Sequence, residues 1–390
     1  MVKRESDYSR PTVKRRGMRT GYTTGACAAA AAKAATLALL SGEPVREVTI
    51  RLPIGKDATF QIHRCEIDGE DAVSSATCSV IKDGGDDPDV TSGAEICARV
   101  WQDRGDNGEV TLRGGEGVGT VTRPGTGIPV GDPSITRVPR RLITQSVQVA
   151  GNGNSLVVEI SVPGGEEIAK KTDNPRLGIV DGISILGTTG VVQPFSTAAW
   201  RASVNVSIDV AAANSLPHMV ITTGTQSELF AKRWMELEDM SYVNVGIFTG
   251  SALKRCVNRG IPRATLVGMI GKFSKIAMGY FVTHVAGNKV DPVFLASLAA
   301  ECGAPEEVQA EMRDAASGRH FQEIALEHDV MPVFDLMCER VCDAARLYLG
   351  DRADDLIVDA ICFDFEGGIL GKATTSKEPI PLIQAVASDD

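Results

Sequence analysis

Residues 19–35, RTGYTTGACAAAAAKAA, restrict the fold more than any other stretch of this chain. The second half is almost all Ala, the strongest helix former, and specifies a helix. Thr23 or Thr24 is its natural N-cap, since a hydroxyl there satisfies an orphan amide of the first turn. Gly21 and Gly25 permit a tight loop and close backbone approach. A Gly/Thr loop opening a helix presents free N–H groups and a dipole that favours negative charge. Side chains this small admit either another helix or a large flat ligand. Two readings stay open: an anion-binding loop with a ligand-facing helix, or a capped helix packed tightly in a core.

The length of 390 residues fits two domains, or one domain with large additions. The net charge of −10 argues against general nucleic-acid binding, so an anionic ligand must be held by local groups. Residues 1–17 are polar and basic with no apolar core, which reads as a disordered leader and not a secretory signal. No apolar run approaches the roughly 18 residues of a membrane span. Nine Cys are scattered without a C-x-x-C pair, and Cys338 and Cys342 lack further ligands nearby. Reduced thiols in a cytoplasmic protein without a bound metal are the expectation.

Alternating runs at 45–52, 58–66 and 72–81 read as strands of a mostly antiparallel sheet. In the loop after them Asp83, Asp86, Asp87 and Asp89 repel one another, which calls for a hard cation, a basic side chain or a cationic ligand. The alternative is a solvated turn that caps a helix starting at Thr91 or Ser92. Residues 114–131 are dense in Gly and form a long loop or irregular hairpin. A helix over 132–148 carries Arg137, Arg140 and Arg141 near its start, where cations oppose the dipole. They mark either an anionic partner or a solvated basic face. Residues 156–162 form a strand.

The pattern changes near residue 165. Apolar strands at 179–186, 218–222, 243–248 and 264–267 are each followed by a Gly/Thr turn and a helix. That alternation specifies a doubly wound, mostly parallel sheet. All four turns would lie at the carboxyl ends of strands, where open α/β sheets bind ligands. None matches a dinucleotide or phosphate-loop signature, so a small polar cofactor is indicated. Residues 291–350 are mostly helical, 355–365 form a late strand, and a polar tail starts at 367–372.

Several blocks, in order, resemble the cobalt-precorrin-5B C1-methyltransferase family of anaerobic cobalamin biosynthesis. They are residues 19–35, VIKDGGDDPDVTSGAEI, GVGTVTRPGTGIPVGDPSITRVPR, GGEEIAKKTDNPRLGIVDGISILGTTGVVQPFS and LVGMIGKFSKIAMG. The resemblance spans about residues 19–365. It implies methyl transfer from S-adenosylmethionine to ring carbon C1 of cobalt-precorrin-5B, giving cobalt-precorrin-6A. It also implies an α+β domain over 18–165, then a Rossmann-like α/β domain with a helical C-terminal region over 166–375 and a polar tail over 376–390.

The substrate is then a flat tetrapyrrole edged with carboxylates. Arg19, Thr20, Gly21, Tyr22, Thr23, Thr24, Gly25, Arg123 and Arg140 are the candidates to hold it. Thr188, Thr189, Gly190, Thr223, Gly224, Glu228, Gly268 and Gly271 are the candidates for the cofactor. Asp86, Asp87 and His284 are the candidates for a catalytic role. No nucleic-acid or membrane partner is expected, and a homo-oligomer is compatible. The chain departs from the family pattern at Met269, where His is common, at residues 222–228, and at Asp173. These departures keep two alternatives in view: another methyl acceptor, or a tetrapyrrole carrier without catalysis.

Overall fold

The structure is a computed structural model that describes residues 17–69, 75–103, 108–283 and 290–383. It is a mixed α/β protein of two compact units, Lys14–Thr197 and Ala198–Asp390.

In the Lys14–Thr197 unit, β1 (Gly21–Tyr22) leads into α1 (Thr24–Ser41). The strands β2 (Glu47–Arg51), β3 (Asp57–Gln61), β4 (Arg64–Asp68), β5 (Ser75–Ile81), β6 (Glu95–Gln102) and β7 (Val110–Gly114) follow. Next come β8 (Gly117–Val118), β9 (Thr120–Val121), α2 (Arg137–Gly151), β10 (Leu156–Ser161) and α3 (Gly165–Ala169). The unit closes with β11 (Ile179–Val180), β12 (Gly182–Ile183) and β13 (Val191–Val192). The main sheet has the order β4-β5-β6-β10-β7 and is antiparallel except between β10 and β7. Alternate side chains turn to one core: Ala76, Cys78 and Val80 from β5, and Ile96, Ala98 and Val100 from β6. Helix α1 lies against β5, β6 and α2.

The alanines of α1 settle the choice left open above. Every Ala from Ala26 to Ala35 is fully buried, so the small face serves helix–sheet and helix–helix packing and leaves no room for a flat ligand. The helix also corrects the expectation about apolar runs. It is 18 residues long with mean hydropathy 1.3, long and apolar enough to cross a membrane by length and composition, yet 72% of it is buried inside the unit. A helix apolar all round is a core helix when a sheet and a second helix cover it.

The change of pattern near residue 165 falls inside this unit. Residues 179–192 do not join the sheet formed by the strands at 218–222, 242–244 and 263–269. Strand β11 pairs with β9, β12 with β8, and β13 with β1, each over two residues. The acidic loop is followed by a turn and strand β6, and no helix starts at Thr91 or Ser92.

In the Ala198–Asp390 unit strands and helices alternate. Its elements are α4 (Thr197–Ala213), β14 (His218–Thr222), α5 (Thr225–Trp234), β15 (Tyr242–Asn244), α6 (Thr249–Arg259), β16 (Arg263–Met269) and α7 (Ile270–Ala277). Then come α8 (Pro292–Glu301), α9 (Glu306–Arg313), α10 (Gly318–Glu327), α11 (Pro332–Leu349), β17 (Ile357–Phe363) and β18 (Ile369–Thr374). The sheet order is β15-β14-β16-β17-β18, parallel through β17 and antiparallel at β18. Both faces are covered. Met219, Ile221, Leu266 and Ala360 point into the larger core, whereas Val220, Val267 and Ile361 point into a smaller one with Phe230 of α5. Strand β18 occupies residues read as the start of a polar tail. It passes so close to α11 that a Cβ on Gly371 would lie 2.3 Å from the Phe334 carbonyl carbon.

The amino ends of the parallel strands are closed by a buried polar network. His218 Nε2 lies 2.7 Å from Thr265 Oγ1, which donates to Asp359 Oδ2 at 2.8 Å. Arg263 grips the same carboxylate through Nε and Nη2. With its proton given to Asp359, the Thr265 hydroxyl accepts from His218, which fixes the Nε2–H tautomer.

Candidate functional site

The opposite, carboxyl edge of the parallel strands is the open one. Thr223 follows β14, with its N–H on the Val267 carbonyl at 3.1 Å. Gly268 is there for packing: a Cβ on it would meet Thr223 Oγ1 at 2.6 Å and the Phe273 ring at 2.8 Å. Gly224 and Gly271 differ. A Cβ on Gly224 would meet only Lys272 Nζ, at 3.7 Å, and one on Gly271 only a Val290 methyl, at 3.9 Å. Both glycines leave space above the backbone. Lys272 Nζ donates to the Thr223 carbonyl, and its pKa is lowered by burial and by the charge of Lys275. Glu228, in the first turn of α5, is buried and pairs with Lys232 at 3.8 Å.

Two aromatic rings frame this edge. The exposed Trp200 lies over Gly246, at whose position a Cβ would sit 2.2 Å from the indole, and its Nε1 donates to the Asn244 carbonyl. Phe248 meets it edge-on at 6.0 Å. Lys272, Lys275 and Trp200 were not among the sequence candidates. A lysine three places after another on an amphipathic helix gives no sign in sequence of which ammonium lacks a partner. The turn at Thr249 is packed: Gly250 faces Phe281 and Tyr348.

Thr188, Thr189 and Gly190 do not belong to this edge. They lie in the other unit, beside the loop that opens α1. Three of the four predicted Gly/Thr turns follow strands of the parallel sheet, because 179–186 is spent on short pairings with β8 and β9. Thr189 Oγ1 bonds the Val191 backbone, and the Gly190 carbonyl accepts from Thr23 N.

The predicted anion loop is largely occupied by the protein itself. Thr23 caps α1, its hydroxyl accepting from Ala26 N at 3.2 Å. Thr24 Oγ1 accepts from Leu186 N at 2.9 Å, and Gly25 N donates to the Leu186 carbonyl. Gly25 makes room for α2, since a Cβ there would lie 2.5 Å from Pro139 Cγ. Gly21 makes room for the acidic loop: its Cβ would lie 2.1 Å from the Gly84 carbonyl carbon. Thr20 bridges to Gly85, and Tyr22 packs on Phe60 at 4.5 Å.

The acidic loop finds its counter-charges in basic side chains and amides. Arg19 pairs with Asp83, and its guanidinium, with the Gly85 amide, holds that carboxyl below the usual range. Asp86 accepts from Arg19 N at 2.6 Å, and Asp87 from Phe195 N at 2.6 Å. Asp89 bonds the buried Lys82 at 2.7 Å and the Thr91 amide and hydroxyl. Burial pushes the Asp89 pKa up, and these bonds outweigh it. Asp86 and Asp87, the carboxylate candidates for catalysis, each accept one backbone amide. His284 lies outside the described residues.

Among the other basic candidates, the Arg123 stem packs on Gly178, and Arg140 faces Asp132 at 3.9 Å. The exposed Arg137 and Arg141 have no partner among the described residues. Arg141 borders a groove of about 600 Å3 between α1, the β2–β3 hairpin and α2. Its apolar wall includes Ile50, Leu52 and Leu142, and Lys33 and Arg51 add charge. Among the described residues no group of three or more His, Cys, Asp or Glu is placed to hold a metal ion.

Two family models match the chain: CbiD over residues 11–194, and the CbiD C-terminal domain over 282–374. The chain belongs to the CbiD family. It is 46% identical over 362 residues to the cobalt-precorrin-5B C(1)-methyltransferase of Geobacillus thermodenitrificans, covering 91% of this chain and 95% of that one. It is 42% identical over 359 residues to the enzyme of the same name from Leptospira interrogans, with the same coverage. A crystal structure of the cobalamin biosynthesis protein cbiD from Archaeoglobus fulgidus is 27% identical and covers 80% of this chain and 85% of that one. Its TM-score is 0.36, too low to inform the fold.

Proposed function

We propose that the chain transfers a methyl group from S-adenosylmethionine to C1 of cobalt-precorrin-5B, giving cobalt-precorrin-6A. Near-full-length identity of 42–46% to relatives named for that reaction carries the reading. Methyl transfer is a displacement at a sulfonium, so it needs the donor and the ring carbon held in line more than it needs a strong base.

The Ala198–Asp390 unit is Rossmann-like in this reading, which the parallel order of β15, β14, β16 and β17 supports. The cofactor sits at their carboxyl edge. Thr223, Gly224, Glu228 and Gly271 meet its polar groups, Gly268 lets Thr223 approach, and Trp200 offers an apolar face. The bare space over Gly224 and Gly271 favours this edge. Thr188, Thr189 and Gly190 leave the cofactor set. For the substrate, Arg19, Arg123, Arg140 and residues 20–25 give way to Arg137, Arg141 and the apolar groove as the place for a flat, carboxylate-edged ring. S-adenosylmethionine is a co-substrate, and cobalt arrives inside the macrocycle.

A second reading, another acceptor on the same scaffold, rests on Met269, which stands at the N-cap of α7 where relatives of this kind commonly have His. Titration calorimetry separates the readings. Binding of both S-adenosylhomocysteine and a corrin acid is expected. Cofactor binding without the corrin moves the acceptor elsewhere, and the reverse marks a carrier.

A further inference from the structure

Helix α7 carries Lys272 and Lys275 three residues apart, on neighbouring positions of one face. Lys275 is 4% exposed, and its ammonium bonds no acceptor among the described residues. Its pKa is lowered by burial alone, with no acidic side chain offsetting the loss of water. Buried ammonium groups are ordinarily paired. The chain follows that rule elsewhere: Lys82, 2% exposed, has Asp89 at 2.7 Å. Lys275 breaks it.

The surroundings add three independent features. The charge of Lys275 lowers the pKa of Lys272, so the two cations share one locality, and Lys272 reaches the Thr223 carbonyl at the sheet edge. The start of α7 has no side-chain cap, which leaves first-turn amides pointing at the same edge. Gly224 and Gly271 keep the approach clear, and the extended φ of 179° at Gly224 gives no backbone reason for glycine.

We infer that Lys272, Lys275 and the amino end of α7 form a binding site for a carboxylate group of a ligand. This rests on the methyltransferase reading, in which two ligands carry carboxylates: the methionine end of the cofactor and the rim of the tetrapyrrole. A carboxylate supplies the counter-charge that the protein withholds, and its second oxygen takes the amides.

Full-length wild type, Lys275→Met and Lys272→Met are titrated with S-adenosylhomocysteine and its decarboxylated analogue. The same is done with cobyrinic acid and its heptamethyl ester. Lys275→Met is expected to weaken one acid at least tenfold and to leave its carboxylate-free counterpart within twofold. Loss for S-adenosylhomocysteine assigns the methionine end; loss for cobyrinic acid assigns the macrocycle. Lys272→Met gives the same pattern. Without ligand, Lys275→Met melts at or above the wild-type temperature, because a partly desolvated charge without a partner is removed.

Unchanged affinity for both acids, or a variant melting several degrees below wild type without ligand, overturns the inference. Malonate separates this failure from failure of the functional reading. If wild type binds neither larger ligand, that reading fails. The site then stands only if malonate raises the melting temperature of wild type and not of Lys275→Met, and equal shifts overturn it.

Discussion

His218 and Lys275 lie in the same unit and are both deprived of water, with opposite consequences. The imidazole has a hydroxyl to donate to, and burial holds it neutral down to about 4, against 6.5 for the free group. The nearby Asp359 charge opposes that shift and Arg263 adds to it. As pH falls, the unfolded chain therefore binds the proton first. His218 leaves stability intact above 6.5 and erodes it as pH drops toward 4, by roughly 3 kcal/mol at the lower end. Urea unfolding at pH 7.5 and pH 5 measures this. His218→Gln, which keeps a donor for Thr265 but does not titrate, is expected to flatten the slope between the two pH values. An unchanged slope removes His218 as its source. Lys275 has no such partner, and that difference separates a structural polar group from one waiting for a ligand.

At the scale of elements, α1 was legible as a helix because Ala propensity and a Thr cap point the same way. Its role was not legible, because small side chains serve a ligand and a neighbouring helix equally well. Tertiary contacts decide for the neighbour: Pro139 of α2 sits where a Cβ on Gly25 would go. Gly25→Val is thus expected to cost about 3 kcal/mol of stability by overpacking the α1–α2 contact. Chemical denaturation reads this directly, and a variant as stable as wild type contradicts it.

The acidic loop was correctly read as needing counter-charge. That Arg19 and Lys82 supply it depends on chain reversals between residues 19 and 89, which no local pattern encodes. The segment 179–192 misled for the opposite reason. Its apolar run and Gly/Thr turn match a strand of a parallel sheet, yet pairing with β1, β8 and β9 claims it.

At the scale of the whole molecule, the chain divides into two compact units at residues 197–198, whereas the change of pattern read near residue 165 falls inside the Lys14–Thr197 unit. The strand-turn-helix alternation after residue 198 was legible because parallel pairing demands long apolar crossovers, and these repeat along the chain. Strand β18 was missed because its Gly and Lys residues weaken a strand signal that contact with α11 restores.

Membership of the CbiD family fixes the reaction to be tested. Purified full-length protein is incubated without oxygen with S-adenosylmethionine and enzymatically made cobalt-precorrin-5B, and the macrocycle is followed by mass spectrometry. The account predicts the gain of one methyl group, lost when S-adenosylmethionine is omitted. No gain, with S-adenosylhomocysteine binding intact, contradicts C1 methylation of this substrate and turns attention to Met269 and residues 222–228.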